Sequence, residues 1–186
     1  MPGVATLPAA DSNARLIFES IPMAQFKFAG PVGERVEANL ENWLLRAPQS
    51  NPGMIEMFRL RDRQPTPELV PWAGEFVGKY LISAVQALRM SDDPQLRRQV
   101  EGVVGEFIAT QAEDGYLGPF PKQDRLLKNW DLWGHYHAIL ALTMWHGQRA
   151  DASALAAARH AEDLETGRQF AWQSGATPAT GLVPSR

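Results

Sequence analysis

Two pairs of helical apolar stripes, punctuated by proline and aspartate, constrain this sequence more than any other feature. Val77, Leu81, Ala84, Val85 and Leu88 stand at i, i+4, i+7, i+8 and i+11, the spacing of an amphipathic helix with one inward face. Pro71 precedes them as a first-turn residue, where its missing N–H costs nothing. Ser91-Asp92-Asp93-Pro94 ends that helix and opens another, with Asp93 as predicted N-cap and Pro94 at N1. In this second helix Leu96, Val100, Val103, Val104, Phe107 and Ile108 repeat the stripe, while Arg97, Arg98, Gln99, Glu101 and Glu106 make a wet face. Residues 111–128 read as a loop with an Asp114-Gly115 turn. From Trp130 to His146, capped by Asn129 and stopped at Gly147, nearly every side is apolar or aromatic, which predicts a buried helix. Asp151 to Glu165 reads as an alanine-rich outer helix with Leu155, Ala158 and Leu164 inward. The order inner, outer, loop, inner, outer predicts an all-α fold of two αα-hairpins.

Upstream, Val36, Leu40, Trp43 and Leu44 predict a helix over Glu34–Ala47 that ends before Pro48. Met54 to Arg63, in a proline-rich stretch, reads as either a short helix or an ordered loop. Residues 1–33 read as an extended segment around the short apolar run Arg15 to Ile21, residues 34–165 as the helical domain portion, and residues 166–186 as an irregular tail. Two clear hairpins are too few to close a solenoid or a ring of helices, so the chain is expected to be the N-terminal portion of a larger domain. No strict repeat of the tetratricopeptide, HEAT or armadillo kind supports a solenoid.

Composition removes several function classes. With 18 basic and 21 acidic residues and a net charge of −3, the chain has neither a nucleic-acid footprint nor a polybasic membrane anchor. It contains no cysteine, which excludes disulfides, a thiolate nucleophile and any zinc site with sulfur ligands. Met1 to Asn13 shows neither the basic start nor the apolar stretch of a secretory signal. The apolar run Ala138 to Trp145 falls far below the roughly 20 residues needed to span a bilayer. A soluble, cytoplasmic protein without membrane or nucleic-acid partners is the expectation. Six tryptophans are the positive oddity, since aromatic rings beside polar groups suit sugar-like ligands as well as cores.

Three segments carry candidate chemistry. In Trp72-Ala-Gly-Glu-Phe-Val-Gly-Lys-Tyr80, Glu75 and Lys79 are spaced i, i+4, which fits a surface ion pair or a carboxylate at a pocket mouth. Gly74 and Gly78 share that spacing and would admit a neighbouring helix. In Trp130-Asp-Leu-Trp-Gly-His-Tyr-His137, the two histidines lie roughly 200° apart on a helix and cannot hold one metal ion. Asp131 and His135 are the i, i+4 pair there. Trp130, Trp133 and His137 share the other side, which fits either rings and an imidazole for a sugar or a packed core with a satisfied histidine. Gln111-Ala-Glu-Asp-Gly-Tyr-Leu-Gly118 leads toward the same end of the bundle, where free helix N–H groups are offered to ligand oxygens. No phosphate loop, nucleophile elbow or His-Glu-x-x-His motif occurs.

These three segments, in this order and spacing, resemble the N-terminal part of the β-L-arabinofuranosidase-like glycoside hydrolases, family 127 and its relatives, over about Pro31 to Glu165. The resemblance implies part of an (α/α)6 barrel with its pocket among the inner-helix N-termini, and a carbohydrate substrate of arabinose-containing or related glycans. It implies a substrate-hydroxyl contact at His137, with Trp72, Glu75, Trp130, Asp131 and His135 as further candidates for the pocket wall. The family's catalytic cysteine, zinc with cysteine and glutamate ligands, and acid/base glutamate find no counterpart here. No catalytic or metal residue and no cofactor is therefore assigned to this chain, with zinc left to the complete family domain. Retaining chemistry needs a nucleophile and an acid/base group about 5–5.5 Å apart, so the chain is expected to be inactive alone. Two rival readings stand: a non-catalytic helical module binding glycan or peptide, and a lyase or unsaturated-glycan hydrolase in which Asp131 would be essential.

Overall fold

The computed structural model describes residues 24–173, with side chains through residue 167. The run Arg15 to Ile21 and residues 174–186 of the expected tail lie outside the described residues. The described chain is all-α, without strands: α1 (Gly30–Asn39), α2 (Ala47–Ser50), α3 (Gly53–Arg59), α4 (Glu75–Ser91), α5 (Pro94–Ile108), α6 (Asp131–Arg149) and α7 (Ala152–Gln173). No helix among them is long and apolar enough to cross a membrane.

The two hairpins form as their stripes require. All five stripe residues of α4 are buried, as are Leu96, Val100, Val103, Val104 and Phe107 of α5. Asp93 caps α5 through a 2.7 Å bond from the Leu96 N–H, so the Asp-Pro junction works as its residue types dictate. α6 packs against both α4 and α7, and α5 meets α4 and α7, which makes α4 and α6 the inner pair. Phe58 of α3 seals the far side by an edge-on contact with Phe107, centroids 5.2 Å apart.

Several boundaries differ from the expectation, each for a local reason. Residues 71–74 are turns, and α4 begins only at Glu75, so Pro71 lies outside its first turn. α1 starts at Gly30, inside the segment expected to be extended, and runs into a π-helical turn at Leu40–Leu44. The carbonyl of Leu44 is then taken by side chains, Tyr80 Oη at 3.1 Å and Gln99 Nε2 at 2.7 Å, a substitute for backbone partners at a helix end. This draws Gln99 off the wet face of α5 into a half-buried bridge. Met54–Arg63 resolves as a short helix, α3, followed by turns. α6 passes Gly147 and stops at Ala150 in the left-handed conformation, because Asp151 turns the chain. Its carboxylate accepts from the N–H groups of Ser153 and Ala154 and from the indole of Trp145. α7 extends to Gln173, beyond the expected Glu165. Its inward face is Ala154, Ala157, Ala158 and Ala161, with Leu155 and Leu164 only half-buried at its edge.

α6 also departs from the fully buried helix that its composition predicts. Trp133, Tyr136 and Thr143 are exposed along one side, while Ala138, Ala141, Leu142 and Trp145 are buried on the other. The exposed side, with Trp133 and Tyr136, runs along the same edge as the pocket candidates.

Candidate functional site

Two glycine positions set the geometry from which the site is built. Gly134 on α6 lies against Gly74, so that a Cβ built there would be 3.1 Å from the Gly74 carbonyl carbon. One turn on, a Cβ on Gly78 would stand 2.6 Å from His137 Cβ and 2.7 Å from its carbonyl carbon. α4 and α6 therefore run parallel in close register, with Gly74 opposite Gly134 and Gly78 opposite His137. Their first turns meet at one rim. Pro119 joins them there, its Cδ 3.0 Å from the Cβ position of Gly74. The close approach expected of Gly74 and Gly78 is thus realised.

An aromatic platform stands on this rim. Trp133 stacks on Tyr136, with centroids 5.5 Å apart and planes at 21°, and the edge of His137 meets both rings at 4.7 and 5.1 Å. Trp133 and Tyr136 remain 46% and 52% exposed, so their outer faces are open to a ligand. Glu75 accepts the Trp133 indole N–H at Oε2 (2.6 Å) and pairs with Lys79 Nζ at Oε1 (2.6 Å). The two readings of the Glu75–Lys79 spacing therefore coexist: the ion pair forms, and it forms at the mouth of the platform.

His137 is 7% exposed, and its Nδ1 lies 2.7 Å from the Trp133 carbonyl oxygen. A carbonyl can only accept, so Nδ1 carries the proton in the neutral ring, and Nε2 is left as an acceptor. An acceptor beside exposed rings is the pairing a sugar hydroxyl and its adjoining C–H face require.

Beneath the platform lies a buried polar core. Asp131 Oδ2 accepts from Tyr116 Oη at 2.8 Å and from the Leu126 N–H at 2.7 Å, while Oδ1 has no partner among the described residues. Tyr116 Oη in turn accepts from the Phe120 N–H at 3.1 Å, which ties the 115–121 loop to the start of α6. The Tyr116 ring lies between Arg125, 4.1 Å from its centroid, and the His135 ring at 5.0 Å. Arg61, also buried, donates to the carbonyls of Gly118 and Thr110. His135 is fully buried; its Nε2 accepts from the Leu117 N–H at 3.2 Å. His135 Nδ1 and Glu165 Oε1 approach to 3.1 Å, but off the line a hydrogen bond needs, so both are unpaired by direction though close in distance. Loop residues 115–121, expected only as a connection, are entirely buried.

Four of the six candidates thus fall into two groups. Glu75 and His137 meet at the platform, whereas Asp131 and His135 are buried below it and make no hydrogen bond to each other. Trp72 is half-exposed in the turn before α4, and Trp130 is 70% exposed. Asn129 does not cap α6. It and Trp130 both adopt left-handed backbone, at φ 53° and 54°, and Trp130 occupies the N-cap position without a side-chain bond. The candidate set omits Tyr116, Tyr136 and Lys79. Tyr136 was accessible through its i+3 spacing from Trp133; Tyr116 carried no signal beyond following an Asp-Gly turn.

Burial raises the carboxyl of Asp131 above its ordinary value of 3.8, against the opposing pull of His135, the Leu126 N–H and Tyr116. A raised acid favours the folded state most when protonated, so its contribution is full below the ordinary value and declines as pH rises through the native value. The stability difference between wild type and Asp131→Asn should therefore move against wild type as pH is raised from 4 to 7. Urea unfolding at both pH values checks this, and a difference independent of pH refutes it. The amide oxygen can still accept from Tyr116 and Leu126, so Asp131→Asn should fold.

Among the described residues no three of His, Cys, Asp and Glu are grouped to hold a metal ion. With no cysteine in the sequence, this chain does not fit the zinc ligand set implied by the resemblance.

A family model described as "Beta-L-arabinofuranosidase, GH127 catalytic domain" matches residues 33–166. No curated protein matches the sequence.

Proposed function

The chain belongs to the β-L-arabinofuranosidase family defined by the family 127 catalytic domain, and from that premise we propose that it forms part of the substrate-pocket wall for arabinose-containing or related glycans. The family supports a glycoside hydrolase-like function and a carbohydrate substrate. The observation that carries the assignment to this surface is the open Trp133–Tyr136 stack with the His137 ring against it. Its rings cover the apolar C–H face of a sugar, and His137 Nε2 accepts from a hydroxyl. Asp131 and His135 act from below, holding the loop and the first turn of α6 rather than touching ligand. Trp72 and Trp130 flank the rim.

In this reading the chain binds and orients, and bond cleavage takes groups that it does not contain. The absence of cysteine sets it apart from the thiolate chemistry that the family resemblance implies. Release of nitrophenol from an aryl β-L-arabinofuranoside by the purified chain would refute this division. A binding module without any catalytic partner is the outcome if a longer protein carrying the same surface binds glycan without turnover.

Replacing His137 tests the site itself. His137→Ala is expected to weaken binding of methyl β-L-arabinofuranoside about tenfold, the equivalent of one hydrogen bond, as read by NMR titration of the full chain. A drop in thermal stability with unchanged sugar affinity would assign His137 to the core and overturn the proposal.

A further inference from the structure

Glu75 is the carboxylate nearest the platform, yet neither of its oxygens is free. Oε1 is paired to Lys79 Nζ and Oε2 accepts the Trp133 indole N–H, each at 2.6 Å. The side chain is only 13% exposed, so these bonds form in a partly water-excluded setting where charge-assisted hydrogen bonds are strong. Each oxygen of this carboxylate is thus engaged by a donor of the chain itself.

Trp133, by contrast, is fixed on three sides and open on the fourth. Its N–H edge is held by Glu75, one face is stacked on Tyr136 and a further contact is made edge-on with His137. An exposed indole without the first of these contacts would sample other rotamers, at a cost in ordering entropy each time a ligand docked. The hydrogen bond also joins two elements, since Glu75 opens α4 while Trp133 lies in the first turn of α6.

Resting on the pocket reading above, we propose that Glu75 is a positioning residue: it pre-orients the Trp133 indole so that the ring, backed by Tyr136, presents its open face to a sugar ring. Lys79 holds the carboxylate in place. What matters at position 75 is then an acceptor oxygen at the right point, not a negative charge offered to the ligand.

Three versions of the full chain separate these roles: wild type, Glu75→Ala and Glu75→Gln, each labelled with ¹⁵N and titrated with methyl β-L-arabinofuranoside. The Trp133 indole N–H resonance is assigned by its loss in Trp133→Phe. In Glu75→Ala that resonance should move to the position of a solvent-exposed indole, the Trp133–Tyr136 ring contacts should weaken, and affinity should fall about tenfold. Glu75→Gln should rescue all three, with affinity within about threefold of wild type, because the amide oxygen still accepts. An unmoved indole resonance in Glu75→Ala, or a Glu75→Gln as impaired as Glu75→Ala, would overturn the proposal. The indole and ring signals need no sugar. Failure of wild type to bind the arabinofuranoside would therefore count against the pocket reading, while those signals would still decide whether Glu75 positions the ring.

Discussion

Gly78→Ala is expected to destabilise the fold by about 2 kcal/mol, although alanine is the better helix former. Removing a mid-helix glycine gains roughly 1 kcal/mol in propensity. The added methyl, however, meets His137 Cβ at 2.6 Å and its backbone carbonyl at 2.7 and 2.9 Å, and a helix backbone cannot swing aside as a flexible side chain can. Overpacking of this kind costs about 3 kcal/mol, at the upper end of its usual range. Relief means parting α4 from α6, which would also pull Glu75 from Trp133, so sugar binding should fall along with stability. Gly102→Ala is the control, because a Cβ there meets nothing within 4 Å and should bring the propensity gain alone. Urea midpoints for the pair check the claim. A Gly78→Ala as stabilising as Gly102→Ala would mean that α4 and α6 do not approach in this way.

A larger loss, about 4 kcal/mol, is expected for Gly115→Ala, where two penalties add. Gly115 has φ +90°, and a side chain in left-handed backbone costs about 1–2 kcal/mol. The new Cβ would also fall on the carbonyl oxygen of His160 in α7, with the His160 ring carbon at 2.9 Å. No propensity gain offsets either term, because the residue lies in a turn closed by the Gly115 N–H donating to Ala112 O at 2.9 Å. Tyr116 and Leu117 follow at once, so the strain should reach Asp131 and His135. Denaturant unfolding measures the loss, and a change below about 1 kcal/mol would show that the turn is not pressed against α7.

What the sequence made legible follows from where one residue type answers one physical demand. The stripes of α4 and α5 were readable because every apolar residue on them but the half-buried Ile108 is buried, and the Asp93-Pro94 start because a cap and a fixed φ act locally. The close approach at Gly74 and Gly78 was readable too, since two glycines four residues apart beside a helical stripe suit few other roles, although Gly74 stands at the N-cap of α4 rather than within it. The α6 start was not: Asn129 resembles a cap, but Asp131 is committed to Tyr116 and Leu126, partners far enough away in sequence that no local rule reports them. Loop 115–121 was opaque for the same reason, as its burial depends on Arg61, Arg125 and α7. At the site, Trp133 and His137 could be put on one face by spacing alone. The hydrogen bond from Trp133 to Glu75 spans two helices and appears only once the helices are placed.

The parallel register of α4 and α6 has an electrostatic consequence at the rim. Parallel neighbours set their macrodipoles side by side, bringing two positive ends of about half a charge each to one edge, an unfavourable arrangement for helices this close. Each helix carries a carboxylate in its first turn, Glu75 in α4 and Asp131 in α6, and these take up the two positive ends from within. The rim is thereby left with little surplus potential for an anion, and it suits a ligand that is polar but uncharged.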